Sequence, residues 1–503
     1  MSSRTRVIVA GVATIAVLLP LGWMWQRSLM PDTYSVTAMG YADYGIDAKG
    51  KPIPAPSASM HEHGGTKAAK HGSKDVKDRD ISIATLVERS KKAADVVVDL
   101  SAQEGTFPIG GHEIEGFVLN GKTPGPDIVV KQGELVEVRL HNDNVTDGVA
   151  LHWHGIDVPN AEDGVAGVTQ NATLPGKTHT YRFAAKQPGT YWYHSHQVSH
   201  EQVTGGLFGS LVVLPKAKIR VRHDVTAVAH TYNGIRTING RVGDLHEVAR
   251  PGQSVRLRIV NTDSGTLSTW SLAPYRVAAI DGYDLHGATT VKGKRLEIPA
   301  GGRADLEFTV PRKGAARVQV GAATAYVIGP RASYPERPAQ PTKTLDLLSY
   351  GKGSADMPKP NRTFNYSIGR RPGFVDGRPG YWWTINGHMW PNVPMFMVRK
   401  GDVVKFRIEN HSGEAHPMHL HGHHALVTAR NGKPVKGGPL WVDSIDVKDG
   451  ETIDLVFRAN NPGIWMDHCH TLKHAAEGLV AHLMYEGYTT PYKVGGKTAN
   501  QPE

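Results

Sequence analysis

The chain has 503 residues, 40% hydrophobic and 21% charged, with a formal net charge of +10. One hydrophobic core rarely fills that length, so several domains are expected, and the composition excludes a wholly disordered chain. The basic residues are spread out rather than gathered into a stripe, which speaks against a nucleic-acid partner. The single cysteine, Cys469, excludes an intramolecular disulfide framework.

Residues 1–30 contain an uncharged stretch at 7–25, preceded by Arg4 and Arg6 and followed by Arg27. At 1.5 Å per residue this stretch just crosses a bilayer core of about 30 Å. It is longer than the apolar part of a signal peptide, and residues 26–30 make a poor cleavage site. The expectation is an uncleaved membrane anchor with an extracytoplasmic body, the alternative being secretion after cleavage. Residues 31–94 read as a flexible linker rich in Pro, Gly, Ala, Ser and Lys. It carries His61, His63 and His71, read as polar linker residues, and 81–94 is predicted to form a short helix.

The remainder repeats itself. An Asn-Gly pair, a glycine and an alternating strand ending in asparagine recur as Asn120, Gly121, Gly133, Asn142; Asn239, Gly240, Gly252, Asn261; and Asn386, Gly387, Gly401, Asn410. A second block follows in each copy: Gly176, Phe183, Gly189; Gly301, Phe308, Gly314; Gly450, Phe457, Gly463. Alternation and Gly/Pro/Asn turns predict an all-β chain of three homologous β-sandwich domains, at 95–215, 216–345 and 346–490, with a tail at 491–503.

The copies differ in what they carry. Five residues after the last glycine of the block stand His194 and His468, but Gln319 in the middle copy. That places a shared site between the outer domains, with the middle domain as spacer or wall and free of metal ligands. The 26 histidines cluster as His152-Trp153-His154, His194-Ser195-His196, His416-Pro417-Met418-His419-Leu420-His421, and His468-Cys469-His470 followed by His474. On a strand, residues i and i+2 face the same way, so each His-x-His pair aims two imidazoles in one direction. Four converging pairs suit three metal ions. Cys469, between two of these histidines, faces the opposite side, and with His416 and His474 it forms the His₂Cys set of blue-copper electron-transfer sites. Leu479, ten residues on, cannot ligate, which predicts a three-coordinate copper of raised potential. His200, His423 and His424 read as surface or supporting residues.

These four clusters resemble the copper motifs of the multicopper oxidases, of the three-domain, laccase-like bacterial kind, over roughly residues 95–490. The resemblance implies three cupredoxin-like Greek-key sandwiches and four copper ions. His416, Cys469 and His474 would hold the type 1 copper, with Leu479 as a non-ligating axial neighbour, and His152 and His419 the type 2 copper. His154, His194 and His470 would hold one type 3 copper, and His196, His421 and His468 the other. Asp163 resembles a family acid that assists proton delivery. The implied activity is one-electron oxidation of phenolic or aromatic donors at the type 1 site, with Cys469 as the point of electron entry and transfer, coupled to reduction of dioxygen to water at the trinuclear cluster. A metallo-oxidase acting on Cu(I) or another metal ion in copper tolerance is the alternative. It would need an acidic or Met-lined outer site; Met389, Met395, Met397 and Met418 lie near the third motif, but packing explains most of them. A non-enzymatic copper carrier would need only the His₂Cys set.

Overall fold

The computed structural model describes residues 3–56, 80–217 and 221–503; the three linker histidines lie outside them. Three pairs of sheets follow one another along the chain. The first sandwich packs Val96–Ile109, His112–Leu119, Leu135–Asn142 and Thr178–Ala184 against Ile128–Lys131, Leu151–His154, Gly189–Ser195 and Phe208–Leu214. The second and third are built likewise, from seven- and five-stranded sheets and from six- and seven-stranded sheets. Alternation carries the packing: in Leu135–Asn142 the residues Val136, Val138 and Leu140 are fully buried beneath Tyr181 and Phe183, while Arg139 between them is exposed.

The repeated residues explain themselves. Asn120, Asn239 and Asn386 all have positive φ and each is followed by a positive-φ glycine, the backbone of a type I′ hairpin. Each asparagine also clamps the neighbouring strand: its Oδ1 accepts from the amide of Ser101, Val228 or Ser367, and its Nδ2 donates to the carbonyl of Asp99, Thr226 or Asn365. The strand-ending asparagines Asn142, Asn261 and Asn410 are buried and donate to two or three carbonyls of loops and strand ends each. A buried loop polar group needs such a partner, so the same residue serves in all three copies.

The N-terminal segment is a 26-residue helix, α1 (Ser3–Ser28), long and apolar enough to cross a membrane, with its apolar residues exposed. The described parts of the segment read as a linker are tied to the body. Thr33–Tyr34 pairs with Val494–Gly495, Tyr41–Asp43 runs parallel to Pro394–Val398, and Ile81–Ser82 pairs with Tyr488–Thr489. The helix expected over 81–94 is only a single 3₁₀ turn, Ile83–Thr85. Ile83 is buried against the body and the Leu86 carbonyl accepts from the Ala161 amide, so tertiary contacts take the backbone groups a helix would use.

Candidate metal centre

Each outer sandwich presents a pair of antiparallel strands. In the first, His152 on Leu151–His154 faces His194 on Gly189–Ser195; in the third, His419 on His416–Leu420 faces His468 on Ile464–Cys469. The two pairs meet across the domain boundary. His152 stacks on His421 with ring centroids 3.7 Å apart, and His154 stacks on His419 at 3.6 Å. All eight histidines are buried.

The structure groups their ring nitrogens into sets: His152, His154 and His419; His154, His194 and His470; His196, His421 and His468. On most rings one nitrogen is engaged and the other bare. His152 Nδ1 donates to the Asp163 carbonyl (2.9 Å), His194 Nδ1 to the Ser195 carbonyl (3.0 Å), His196 Nδ1 to the Pro502 carbonyl (3.0 Å) and His419 Nδ1 to the Asp443 carbonyl (2.8 Å). The opposite nitrogens, Nε2 of these four, have no hydrogen-bond partner, and neither has His154 Nδ1 or either nitrogen of His470. Buried polar atoms are ordinarily satisfied. A ring with one N–H fixed and one bare lone pair is the state of a metal-ligating histidine. Burial and the neighbouring imidazoles hold His154, His194, His196, His421, His468 and His470 well below the usual histidine range, and His419 is lowered to about 3. Neutral rings with free lone pairs result.

On the other face of Ile464–Cys469, the Cys469 Sγ lies 3.5 Å from His416 Nδ1 and 3.7 Å from His474 Nδ1, and those nitrogens are 3.2 Å apart. A triangle of that size has its centre about 2 Å from each corner, close to the length of a metal–imidazole bond. His474 sits on the short helix Leu472–Ala476, directly after the strand. The loop closes with the Cys469 amide donating to the Leu479 carbonyl and the Leu479 amide to the His474 carbonyl. Leu479 is fully buried. The Trp383 ring covers His474 at 4.4 Å and His416 at 4.8 Å, and the Arg370 guanidinium lies over Trp383. Burial pushes the Cys469 thiol up and His416 down to about 3.

Residue profiles described as multicopper oxidase match 101–218 and 357–487, the two sandwiches that carry these histidines. A multicopper oxidase of Mycobacterium tuberculosis is 26% identical, covering 80% of this chain and 89% of that protein. A laccase of Botryotinia fuckeliana is 28% identical, covering 76% and 81%. The crystal structure of a multicopper oxidase from Pseudomonas thermotolerans superposes with a TM-score of 0.66 at 25% identity, covering 78% of this chain and all of that one. The chain belongs to the multicopper oxidases. It is a laccase-like, three-domain copper oxidoreductase that uses dioxygen as acceptor.

Asp163 lies inside the histidine cage of this oxidase. Its Oδ2 accepts from His421 Nδ1 at 3.0 Å, its Oδ1 is 3.1 Å from His152 Nδ1, and burial raises its pKa. His200 stays at the rim beside Glu201. His423 and His424 are buried rather than superficial. His423 bonds the Tyr485 hydroxyl, and His424, raised to about 9 by Asp157 and Asp443, lies 3.1 Å from the Asp443 carboxylate.

Three residues that the sequence reading passed over complete the site. Asp443 accepts from His154 Nε2 (3.1 Å) and is paired in two bonds with Arg303 of the middle sandwich, and Asp281 accepts from the amides of Asp443 and Ser444. All three are buried. Arg303 holds the Asp443 carboxyl well below the usual range, and burial beside Asp443 pushes Asp281 up. One signal was available: two residues after the repeated glycine the outer copies have Thr178 and Thr452, and only the middle one has a charged residue, Arg303. The tail also reaches the site, where Glu503 Oε1 lies 3.2 Å from His468 Nδ1.

Proposed function

We propose that this oxidase couples one-electron oxidation of phenolic or aromatic donors to four-electron reduction of dioxygen, with four copper ions per chain. His416, Cys469 and His474 would hold the type 1 copper, and His152 and His419 the type 2. His154, His194 and His470 would hold one type 3 copper, and His196, His421 and His468 the other. The observation that carries this reading is the set of bare, inward-facing nitrogens beside a fully buried thiol.

When bound, copper supplies one-electron acceptance at the thiolate and a site for dioxygen reduction between the outer sandwiches. The chain supplies the rest. Cys469 is covalently joined to His468 and His470, a short bonded path from one ligand set to the other. Leu479, buried on the same loop, has no atom that could ligate, so a copper held by His416, Cys469 and His474 would gain no fourth ligand from it and would have a raised potential. Asp163 fixes the orientation of His152 and His421 and offers a carboxylate for proton delivery; Asp443, held ionised by Arg303, orients His154 and His419. Trp383 packs against both imidazoles of the type 1 set and leaves His474 partly exposed. We read α1 as a retained anchor and the body as extracytoplasmic.

The test is dioxygen consumption by copper-loaded protein with a phenol and with Cu(I), in wild type and Cys469→Ser. Uptake with the phenol that the substitution abolishes supports the proposal. Uptake only with Cu(I) replaces it with the metallo-oxidase reading, and no uptake despite about four bound ions leaves a carrier.

A further inference from the structure

The end of α1 is built into the third sandwich. The Ser28 carbonyl accepts from the Asp376 amide (3.0 Å), the Ser28 hydroxyl accepts from the Gly377 amide (3.0 Å), and the Asp376 carboxylate accepts from the Met30 amide (3.2 Å). Asp376 and Gly377 form the turn of a long hairpin, Arg362–Val375 and Arg378–Ile385. The same hairpin carries Arg370 and Trp383 over His416 and His474. The element that grips the helix is therefore the element that covers the electron-entry site.

The apolar run of α1, residues 7–25, measures about 28 Å. It spends its whole length on a bilayer core, so Trp23, Trp25 and Arg27 fall at the outer interface, where tryptophan and arginine are favoured. No slack follows, because Ser28 is already bonded to the hairpin. A cavity of about 750 Å³ opens at that level. Its helix side is Trp23, Met24 and Arg27; its body side includes Tyr41, Arg371, Phe374, Met389 and Trp390. Trp390 forms its inner wall and is packed on the turn of the type 1 loop: a Cβ on Gly478 would lie 2.7 Å from the Trp390 Cβ. The Gly478 amide in turn donates to Ala475, next to His474.

We propose that this cavity receives a membrane-resident amphiphilic hydroquinone, whose alkyl chain stays in the outer leaflet while its ring enters between α1 and the hairpin. The aromatic lining matches the ring, and Arg27 and Arg371 match a phenolic oxygen that gains negative charge as it loses its proton. Two hydroquinones are oxidised to two quinones. The four electrons and four protons they release convert one dioxygen to two waters. This inference rests on the phenol-oxidase reading and names its donor class.

The test uses full-length, copper-loaded enzyme in phosphatidylcholine vesicles, with decylhydroquinone and a short water-soluble hydroquinone compared by dioxygen uptake. The readout is the ratio of kcat/KM for the two donors. Arg371→Ala and Phe374→Ala, both on the hairpin surface, are expected to lower that ratio at least tenfold, and mass analysis of the membrane-bound protein is expected to retain α1. A ratio unchanged in both variants, or a mature protein without α1, overturns the inference while leaving the phenol reading intact. Failure of both hydroquinones with the type 1 colour present overturns the phenol reading itself.

Discussion

Ser195 and Cys469 occupy the same place in two copies of one sandwich, each between two cage histidines and each followed by a short helix. Their surroundings differ completely. The Ser195 hydroxyl donates to Gln202 Oε1 (2.6 Å) on the helix Ser199–Gly205, and the position matching His416 is the buried aliphatic Val149. His200, which matches His474, turns out beside Glu201. Around Cys469 the same three positions bring a thiol and two imidazoles within 3.7 Å. The scaffold is therefore the same at both corners, and three side chains give one of them a thiol with two imidazoles and leave the other without.

The comparison breaks most severely with Cys469→Ser, which copies the first corner into the third. The expected result is loss of the copper–thiolate absorption and of donor oxidation by three or more orders of magnitude, with about one ion per chain lost on metal analysis, since hydroxyl is a poor copper ligand at neutral pH. Next comes the attachment of each corner to the middle sandwich. The first corner uses hydrogen bonds alone, from Trp192 Nε1 to the Gly301 carbonyl and from Arg303 Nε and Arg258 to Thr190; the third adds the buried Arg303–Asp443 ion pair. Arg303→Met removes the guanidinium from between Asp443 and Asp281, leaving His424 beside Asp443, and should cost about 3–5 kcal/mol in urea unfolding.

Asp163→Asn keeps the shape but removes the carboxylate shared by His152 and His421. Loss of such a supporting carboxylate typically costs about 10–100-fold, read here as dioxygen uptake with the type 1 colour unchanged. Ser195→Cys sharpens the comparison from the other side. With valine at 149 and His200 turned out beside Glu201 it should create no second thiolate colour, and leaving Gln202 Oε1 without its hydroxyl donor should cost about 1–3 kcal/mol. The smallest effect is expected from Leu479→Met, a near-isosteric change that offers the third corner a weak axial ligand. The type 1 potential should fall in a redox titration, with folding stability within about 1.5 kcal/mol of wild type.

The three sandwiches and the cage histidines were legible because both depend on short-range regularities. Alternation fixes which side chains a strand buries, and His-x-His spacing fixes which imidazoles share a face. The Asn-Gly and Gly-Phe-Gly blocks marked the repeat because each asparagine does the same bonding job three times. Arg303, Asp443 and Asp281 were not legible in that way. Each is one charged residue in an ordinary strand or turn, and their meaning arises only where the middle and third sandwiches meet. The segment around Ile83 misled for a related reason: its local sequence permits a helix, but its partners lie at Ala161 and Tyr488. His423 and His424 looked superfluous until Tyr485 and Asp443 were beside them.

The stacked pairs His152–His421 and His154–His419 also bear on maturation. Each pair draws one ring from either end of the chain, and both rings are shut away from solvent. A cage built from both ends of the chain exists only once the outer modules have clasped, so an ion that needs rings from both can be held only by the assembled molecule. Neither end alone presents the full set of rings, and parting the two means undoing the aromatic seam.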